Sequence, residues 1–396
     1  MTRAQSPGLG GLSFVNPQDP GGSGAGIGRT YAEIPAARPA VRATPLPRAV
    51  TTSLDDLVVE IDGAGRRQAL ADFVSSTAST SLVVLVGGEV FLEWYVDGVG
   101  GDDLLLGASV TKSALAGLVG QAVLDGAMTL DDPVIDHVPE LAGSGYRSVT
   151  LRQVASMTSG IDWVEDHRDP ESQASRLLGC FADGVGGSRD LLTGIAPHAA
   201  PGTRYAYCTA DSQVLDWARE RATGQRFTSA LTELWTDLGC EHHAVVALDG
   251  PEESGGVAMA GGGLAATARD WARIGMLQVD GTISGVRLLG QDWVEESSRP
   301  AASFTAPGRL PSTLTTHAGF GLHWWPLDGS GRHVTADGSR GQFVYVDRET
   351  GTVVVKTSQW AYDEPTDRQC RDLSYLALPR IAQAAAAAMG TAKGTS

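Results

Sequence analysis

Lysine is almost missing from this chain: three lysines, Lys112, Lys356 and Lys393, stand among 396 residues, and arginine does the remaining basic work. Basic stretches are missing too, and the formal net charge is -16. Nucleic acid and anionic membrane surfaces are therefore excluded as partners. No run approaches the roughly 20 apolar residues that a membrane span requires. Met1 to Arg48 lacks the apolar core of a secretory signal, so a cytoplasmic location is expected. Only four cysteines occur, Cys180, Cys208, Cys240 and Cys370, and none forms a Cys-x-x-Cys pair. A metal cluster is not expected, and a reducing compartment would keep them as thiols. There is no Gly-x-Ser-x-Gly elbow, no His-Glu-x-x-His and no His-x-His; His242 and His243 are adjacent and would point apart. The glycines at Gly21–Gly26 follow no strand and match no dinucleotide fingerprint, so no nucleotide site is expected there.

The scarcity of lysine makes one lysine informative. Lys112 follows Ser109 by three residues, and neither other lysine has a serine at that offset. Chance alone would supply roughly 0.2 such matches here. Residues i and i+3 share a helix face, so the Ser109 hydroxyl and the Lys112 amine can enter one cleft. A serine hydroxyl needs a base to take its proton, and a lysine serves only where burial or nearby positive charge lowers its pKa. Ser113 to Val123 is nearly charge-free, as expected of a buried central helix, and this leaves Lys112 in apolar surroundings.

In chain order, residues 1–50 read as a flexible Gly/Pro-rich N-terminal arm. Leu54 to Val74 is expected to be helical. Ser81–Val86 and Glu89–Val96, joined by Gly87-Gly88, predict a tight hairpin. Thr150 caps a short helix that Gly160 closes. Residues 161–200 read as loop, carrying Trp163, Asp166, His167 and Asp169. Helices follow at Leu215–Thr223, Phe227–Leu238 and Ala268–Leu277. Strands are expected at Gly321–Leu327, Gln342–Val346 and Thr352–Thr357, and a last helix at Arg371–Met389. Early and late strands thus flank a helical middle. The expected class is α+β: an antiparallel sheet flanked by helices, with an inserted all-helical domain. Length alone suggests two or three domains, but the pattern gives one catalytic unit, 51–385. Its α/β part is 51–108 with 240–385, its helical part is 109–239, and 386–396 is a tail.

A Ser/Lys site also needs a proton shuttle and two N–H donors for an oxyanion. Tyr207, on the loop after Pro201-Gly202, is the candidate shuttle, because a phenol beside a cationic lysine ionises more readily. Asp337-Gly338-Ser339-Arg340-Gly341-Gln342, just before a strand, offers the Ser339 N–H as partner to that of Ser109, and its glycines permit close backbone approach.

Together, Ser109-Val110-Thr111-Lys112, Tyr207-Cys208-Thr209 and Gly338-Ser339-Arg340-Gly341-Gln342 resemble the three motifs of the serine β-lactamase and penicillin-binding-protein superfamily. Their order and spacing resemble its class C and esterase branch. Leu151-Arg152-Gln153-Val154, Gly261-Gly262-Gly263-Leu264 and Tyr345-Val346-Asp347 agree. Tyr207-Cys208 and Val355 to Trp360 are most similar to the 6-aminohexanoate-dimer hydrolases, which cleave linear amides and short esters. The resemblance spans about residues 55–385. It implies a β-lactamase/transpeptidase-like fold and no cofactor or metal. It implies Ser109 as nucleophile, Lys112 as its proton acceptor, Tyr207 as shuttle, and the Ser109 and Ser339 amides as oxyanion hole. It places Trp163 over the leaving-group side, and Thr209, Gly338, Arg340 and Gln342 beside the substrate. Two positions depart from class C lactamases. Thr209 stands where they have Asn, and Ala336 stands where they have a carboxylate-binding lysine, so Arg340 is the remaining candidate anchor. Lys356-Thr357-Ser358, on a later strand, reads as structural. The expected activity is hydrolysis of a small ester or linear amide through acyl-Ser109. The alternatives are transfer of the acyl group to an amine or alcohol, β-lactamase activity, or a non-catalytic binding protein. Monomer or homodimer is expected.

Overall fold

The computed structural model describes residues 30–37, 46–60, 67–184, 186–361 and 363–393. Its principal strands are β1 (Thr30–Ile34), β2 (Arg48–Thr52), β3 (Ser79–Val86), β4 (Glu89–Tyr95), β5 (Leu105–Leu106), β6 (Ala244–Leu248), β7 (Leu264–Ala266), β8 (Trp325–Pro326), β9 (His333–Gly338), β10 (Gln342–Asp347) and β11 (Thr352–Ser358). Its principal helices are α1 (Leu70–Ser76), α2 (Thr111–Leu124), α3 (Leu151–Ala155), α4 (Gln173–Asp183), α5 (Thr209–Thr223), α6 (Phe227–Asp237), α7 (Ala268–Asp280) and α8 (Thr366–Lys393).

The central sheet has seven strands in the order β8-β9-β10-β11-β3-β4-β2, so strands from both ends of the chain meet at the β11–β3 pair. Valine and leucine fill β3 and β11, whose residues are buried throughout. β-branched side chains suit such doubly covered strands. One face presents Val83, Leu85, Val344, Val353 and Val355 to a core shared with Ile274 and Leu277 of α7 and with the helical middle. The other presents Leu82, Val84, Phe343, Tyr345 and Val354 to Tyr375, Leu378, Ile381 and Ala385 of α8. Gly275 allows α7 to lie close: a Cβ there would meet Val353 Cγ1 at 2.5 Å and Val344 Cγ1 at 2.8 Å. Gly87 and Gly88 have φ of +59° and +83°, the backbone that a two-residue hairpin turn requires.

The expected α+β class and the sheet built from both chain ends are present. Several expectations change. The described parts of the N-terminal arm are strands: β1 pairs with β6 in a second sheet of order β1-β6-β7-β5, and β2 runs parallel to β4 at the edge of the large one. Among the described residues of the expected helix 54–74, the α-helical part begins at Leu70, in α1; Val58–Glu60 and Arg67–Ala69 pair as strands. The loop-rich stretch 161–200 contains α4 and a short helix, Ser188–Thr193. The strand at 321–327 shrinks to Trp325–Pro326, and α8 extends through the expected tail to Lys393. All four cysteines are free thiols, and among the described residues no helix is long and apolar enough to cross a membrane.

Candidate active site

Ser109 sits in a 3-10 turn, Ala108–Val110, that leads directly into α2. The preceding Ala108 has φ of +45°, a left-handed conformation unusual for a residue with a Cβ. Gly107 lies so close to Trp271 of α7 that a Cβ would stand 2.3 Å from the indole ring. The Trp271 N–H donates to the Leu105 carbonyl at 3.0 Å. This packing presses the turn against the sheet and presents Ser109 at the cleft.

Lys112, one helical turn on, is 3% exposed. Its Nζ lies 3.2 Å from Ser109 Oγ, 3.2 Å from Thr209 Oγ1 and 2.6 Å from the Gly261 carbonyl oxygen. The Tyr207 ring centroid is 5.0 Å away. Burial pulls the amine down to about 8, against the opposing pull of Glu165. Tyr207 is held by stacking on Trp325 and by an edge contact with Phe320. His323 lies beneath: its backbone carbonyl accepts from Ser113 Oγ at 2.8 Å and its ring bonds Ala155 O and Ser212 Oγ, joining α2, α3 and α5. Burial lowers it to about 3, so the ring is neutral. Its Nδ1 then donates to the carbonyl and its Nε2 accepts from Ser212.

A cleft of about 350 Å³ opens at this point, lined by Ser109, Tyr207, Trp325, Asp337 and Ser339 and by the acid-rich 165–168 and 363–367 segments. The end of β9 comes against the Ser109 turn: a Cβ on Gly338 would meet the Gly107 carbonyl at 2.4 Å and the Ser109 amide nitrogen at 3.3 Å. Gln342 braces this loop, donating from Nε2 to Ser358 O at 2.7 Å and Ser339 O at 3.3 Å. Asp337 accepts from the Tyr375 hydroxyl at 2.9 Å, and burial raises its carboxyl to about 6.

The structure thus brings Ser109, Lys112, Tyr207 and Ser339 together. It places four expected substrate-side residues differently. Trp163 does not line the cleft; its indole N–H donates to Glu165 Oε2 at 2.5 Å, and the ring packs among Leu106, Leu177 and Phe181. Thr209 is 5% exposed and lies between Lys112 and Glu165. Gln342 is buried behind the Ser339 loop, and Arg340, with φ of +63°, is not among the cleft-lining residues. Gly338 acts through its lack of a side chain. Lys356 is fully buried over the Trp360, Phe73 and Phe343 rings, where burial lowers it to about 7, and it donates to Ser358 Oγ.

Glu165 is the residue that sequence reasoning missed. Besides Trp163, it accepts from Thr209 N at 2.8 Å, Thr209 Oγ1 at 2.5 Å and His167 Nε2 at 3.2 Å. Burial alone would raise its carboxyl, but His167, Lys112 and Thr209 outweigh this and hold it near 2. The only sequence signal was a cluster of aromatic, acidic and histidine residues on one loop.

Residues 66–378 match the family described as Beta-lactamase. The 6-aminohexanoate-dimer hydrolase of Paenarthrobacter ureafaciens is 33% identical over 312 residues, covering 76% of this chain and 78% of that protein. A Bacillus anthracis protein provisionally named a 6-aminohexanoate-dimer hydrolase superposes with a TM-score of 0.74 at 21% identity, over 89% of this chain and 90% of that one. EstCE1, a hydrolase with promiscuous acyltransferase activity, superposes with a TM-score of 0.58 at 16% identity, over 77% and 98%. The chain belongs to the beta-lactamase family. It is a hydrolase of that fold, related in sequence to the Paenarthrobacter enzyme.

Proposed function

We propose that the protein hydrolyses small esters or linear amides through an acyl-Ser109 intermediate. The observation that carries this is the 3.2 Å approach of a buried, pKa-lowered amine to a serine hydroxyl at the floor of a cleft. In its free-amine form Lys112 takes the Ser109 proton as Oγ attacks the substrate carbonyl. The oxyanion develops between the Ser109 and Ser339 backbone N–H groups. Tyr207 gives its hydroxyl proton to the departing alcohol or amine and regains one from Lys112. Water then attacks the acyl-enzyme, with Lys112 and Tyr207 acting again as base and proton carriers, and Ser109 is released.

Two observations bear on the substrate. The sequence relative acts, by its name, on the 6-aminohexanoate dimer, a linear amide. The cleft is lined by Glu165, Asp166, Asp363, Glu364 and Asp367, while Arg168 and Arg371 are paired with Asp166 at 3.2 Å and Asp367 at 2.7 Å. Substrates with a positive charge suit such a wall better than anionic penicillins do. Ala336 at the lysine position of the third motif favours the same choice. Transfer of the acyl group to an amine or alcohol is the second reading, since the same acyl-Ser109 intermediate would serve either acceptor.

The test is intact-protein mass spectrometry after brief exposure to p-nitrophenyl esters, a linear aminohexanoate amide and a penicillin. A gain of one acyl group, missing in Ser109→Ala, is expected with the esters and the amide. Turnover that persists undiminished in Ser109→Ala would remove Ser109 as nucleophile. The product ratio with added amine separates hydrolysis from transfer.

A further inference from the structure

Lys112 is buried, yet its proposed role starts from the free amine, so wherever it stands as the ammonium it must first lose a proton to solvent. Four groups surround its Nζ. Ser109 is the nucleophile and, once acylated, has no hydroxyl. The Gly261 carbonyl only accepts. Tyr207 faces the cleft and serves the leaving group. Thr209 remains, and it leads outward. Thr209 Oγ1 accepts from Lys112 Nζ at 3.2 Å and donates to Glu165 Oε1 at 2.5 Å. The same Glu165 oxygen lies 3.2 Å from His167 Nε2. Glu165 is 14% exposed and His167 30%, so exposure rises along the chain from Lys112, at 3%. The remaining Glu165 oxygen is fixed by Thr209 N and Trp163 Nε1, which hold the carboxylate in place.

We propose that Thr209, Glu165 and His167 form the path along which the Lys112 proton exchanges with solvent. The ammonium passes a proton to Thr209 Oγ1 as the Thr209 hydroxyl proton passes to Glu165 Oε1. His167 in its Nδ1–H tautomer takes the proton from the carboxyl at Nε2, and the resulting imidazolium releases its Nδ1 proton to water; this leaves the Nε2–H form that donates to Glu165 at rest, and tautomer exchange through water resets the ring. The balance is one ammonium converted to amine and one proton gained by solvent, with no co-reactant. Glu165 is well suited to the middle position: held as a carboxylate, it accepts a proton only in transit. Thr209, which does not line the cleft, is thus a relay residue, and Glu165 carries the proton onward besides lining the cleft. The proposal rests on Lys112 acting as the base.

The test uses the full chain labelled with 15N-lysine, in which three lysines give a sparse spectrum. Hydrogen exchange of the Lys112 Nζ group is measured by NMR at pH 6, with Lys356 as internal reference. His167→Ala, at an exposed position, is expected to slow Lys112 exchange by about tenfold or more, leave Lys356 unchanged, and recover on adding imidazole. Thr209→Val is expected to slow it without imidazole rescue. Turnover of a p-nitrophenyl ester by His167→Ala should fall and be restored by imidazole in parallel. Lys112 exchange at the wild-type rate in both variants overturns the path. Because the exchange measurement needs no turnover, it remains readable even where the ester-hydrolysis reading fails.

Discussion

Lys112 carries two demands that oppose each other. Burial makes it a usable base, but Glu165 nearby favours its charged form. With a value of about 8, roughly a tenth of molecules hold the free amine at pH 7. The expected pH profile of kcat/KM therefore rises about tenfold per unit below pH 8 and levels above it. Glu165→Gln removes the charge that favours the ammonium, so the rising limb should move to lower pH. A limb unmoved by that change would show that Glu165 does not act on Lys112. For Tyr207→Phe, the expected loss is larger with amides than with p-nitrophenyl esters, because an amine leaving group needs a proton and p-nitrophenolate does not. Equal losses on both substrates would remove the shuttle role.

At the scale of elements, two buried positions in the sheet make opposite predictions. Gly275 lets α7 settle on β10 and β11, and its Cα has no room for a methyl group. Gly275→Ala should destabilise by about 1–3 kcal/mol through overpacking, seen as a lower midpoint in urea unfolding. Lys356 on β11 works the other way. Its folded value of about 7 lies below the unfolded value of a lysine. The folded protein therefore binds fewer protons between these values, and stability rises with pH across that window, by about 1.4 kcal/mol per unit. The penalty of burying Lys356 is full below pH 7 and fades toward alkaline pH. Lys356→Met should accordingly raise Tm most at pH 6 and least near pH 10. An advantage that does not change with pH would mean that packing, and not charge, governs this position.

At the scale of the whole molecule, the net charge of -16 and the acid-lined cleft act in the same sense. An ester bearing an amine should show a several-fold lower KM than its carboxylate-bearing isostere, and added salt should narrow the gap. Steady-state kinetics at low and at physiological ionic strength measure this directly.

What the linear chain determines follows from short-range rules. Ser109 and Lys112 were legible because a pair at i, i+3 meets on one side wherever a turn runs straight into a charge-free helix. The hairpin at Gly87-Gly88, the Thr150 cap and the valine-rich strands were legible for the same reason: turn chemistry, capping and alternation are local. The rest depends on contacts between distant residues. Thr30–Ile34 and Arg48–Thr52 read as arm because their pairing partners lie far along the chain, at Ala244–Leu248 and Glu89–Tyr95. Leu54 to Val74 carries a period that strand pairing overrode at Val58–Glu60. Trp163 was expected over the substrate, but the loop turned its indole onto Glu165. Glu165 itself had no readable signal, since a carboxylate on a loop gains its role only from what the fold sets opposite it. Sequence alone determined which chemistry we propose for this protein, because Ser109 and Lys112 stand three residues apart where a turn runs into one helix. Tertiary structure decided the surroundings of Lys112, because its desolvation, charge and hydrogen-bond partners come from segments about 50 to 150 residues away, on the order of a domain's length.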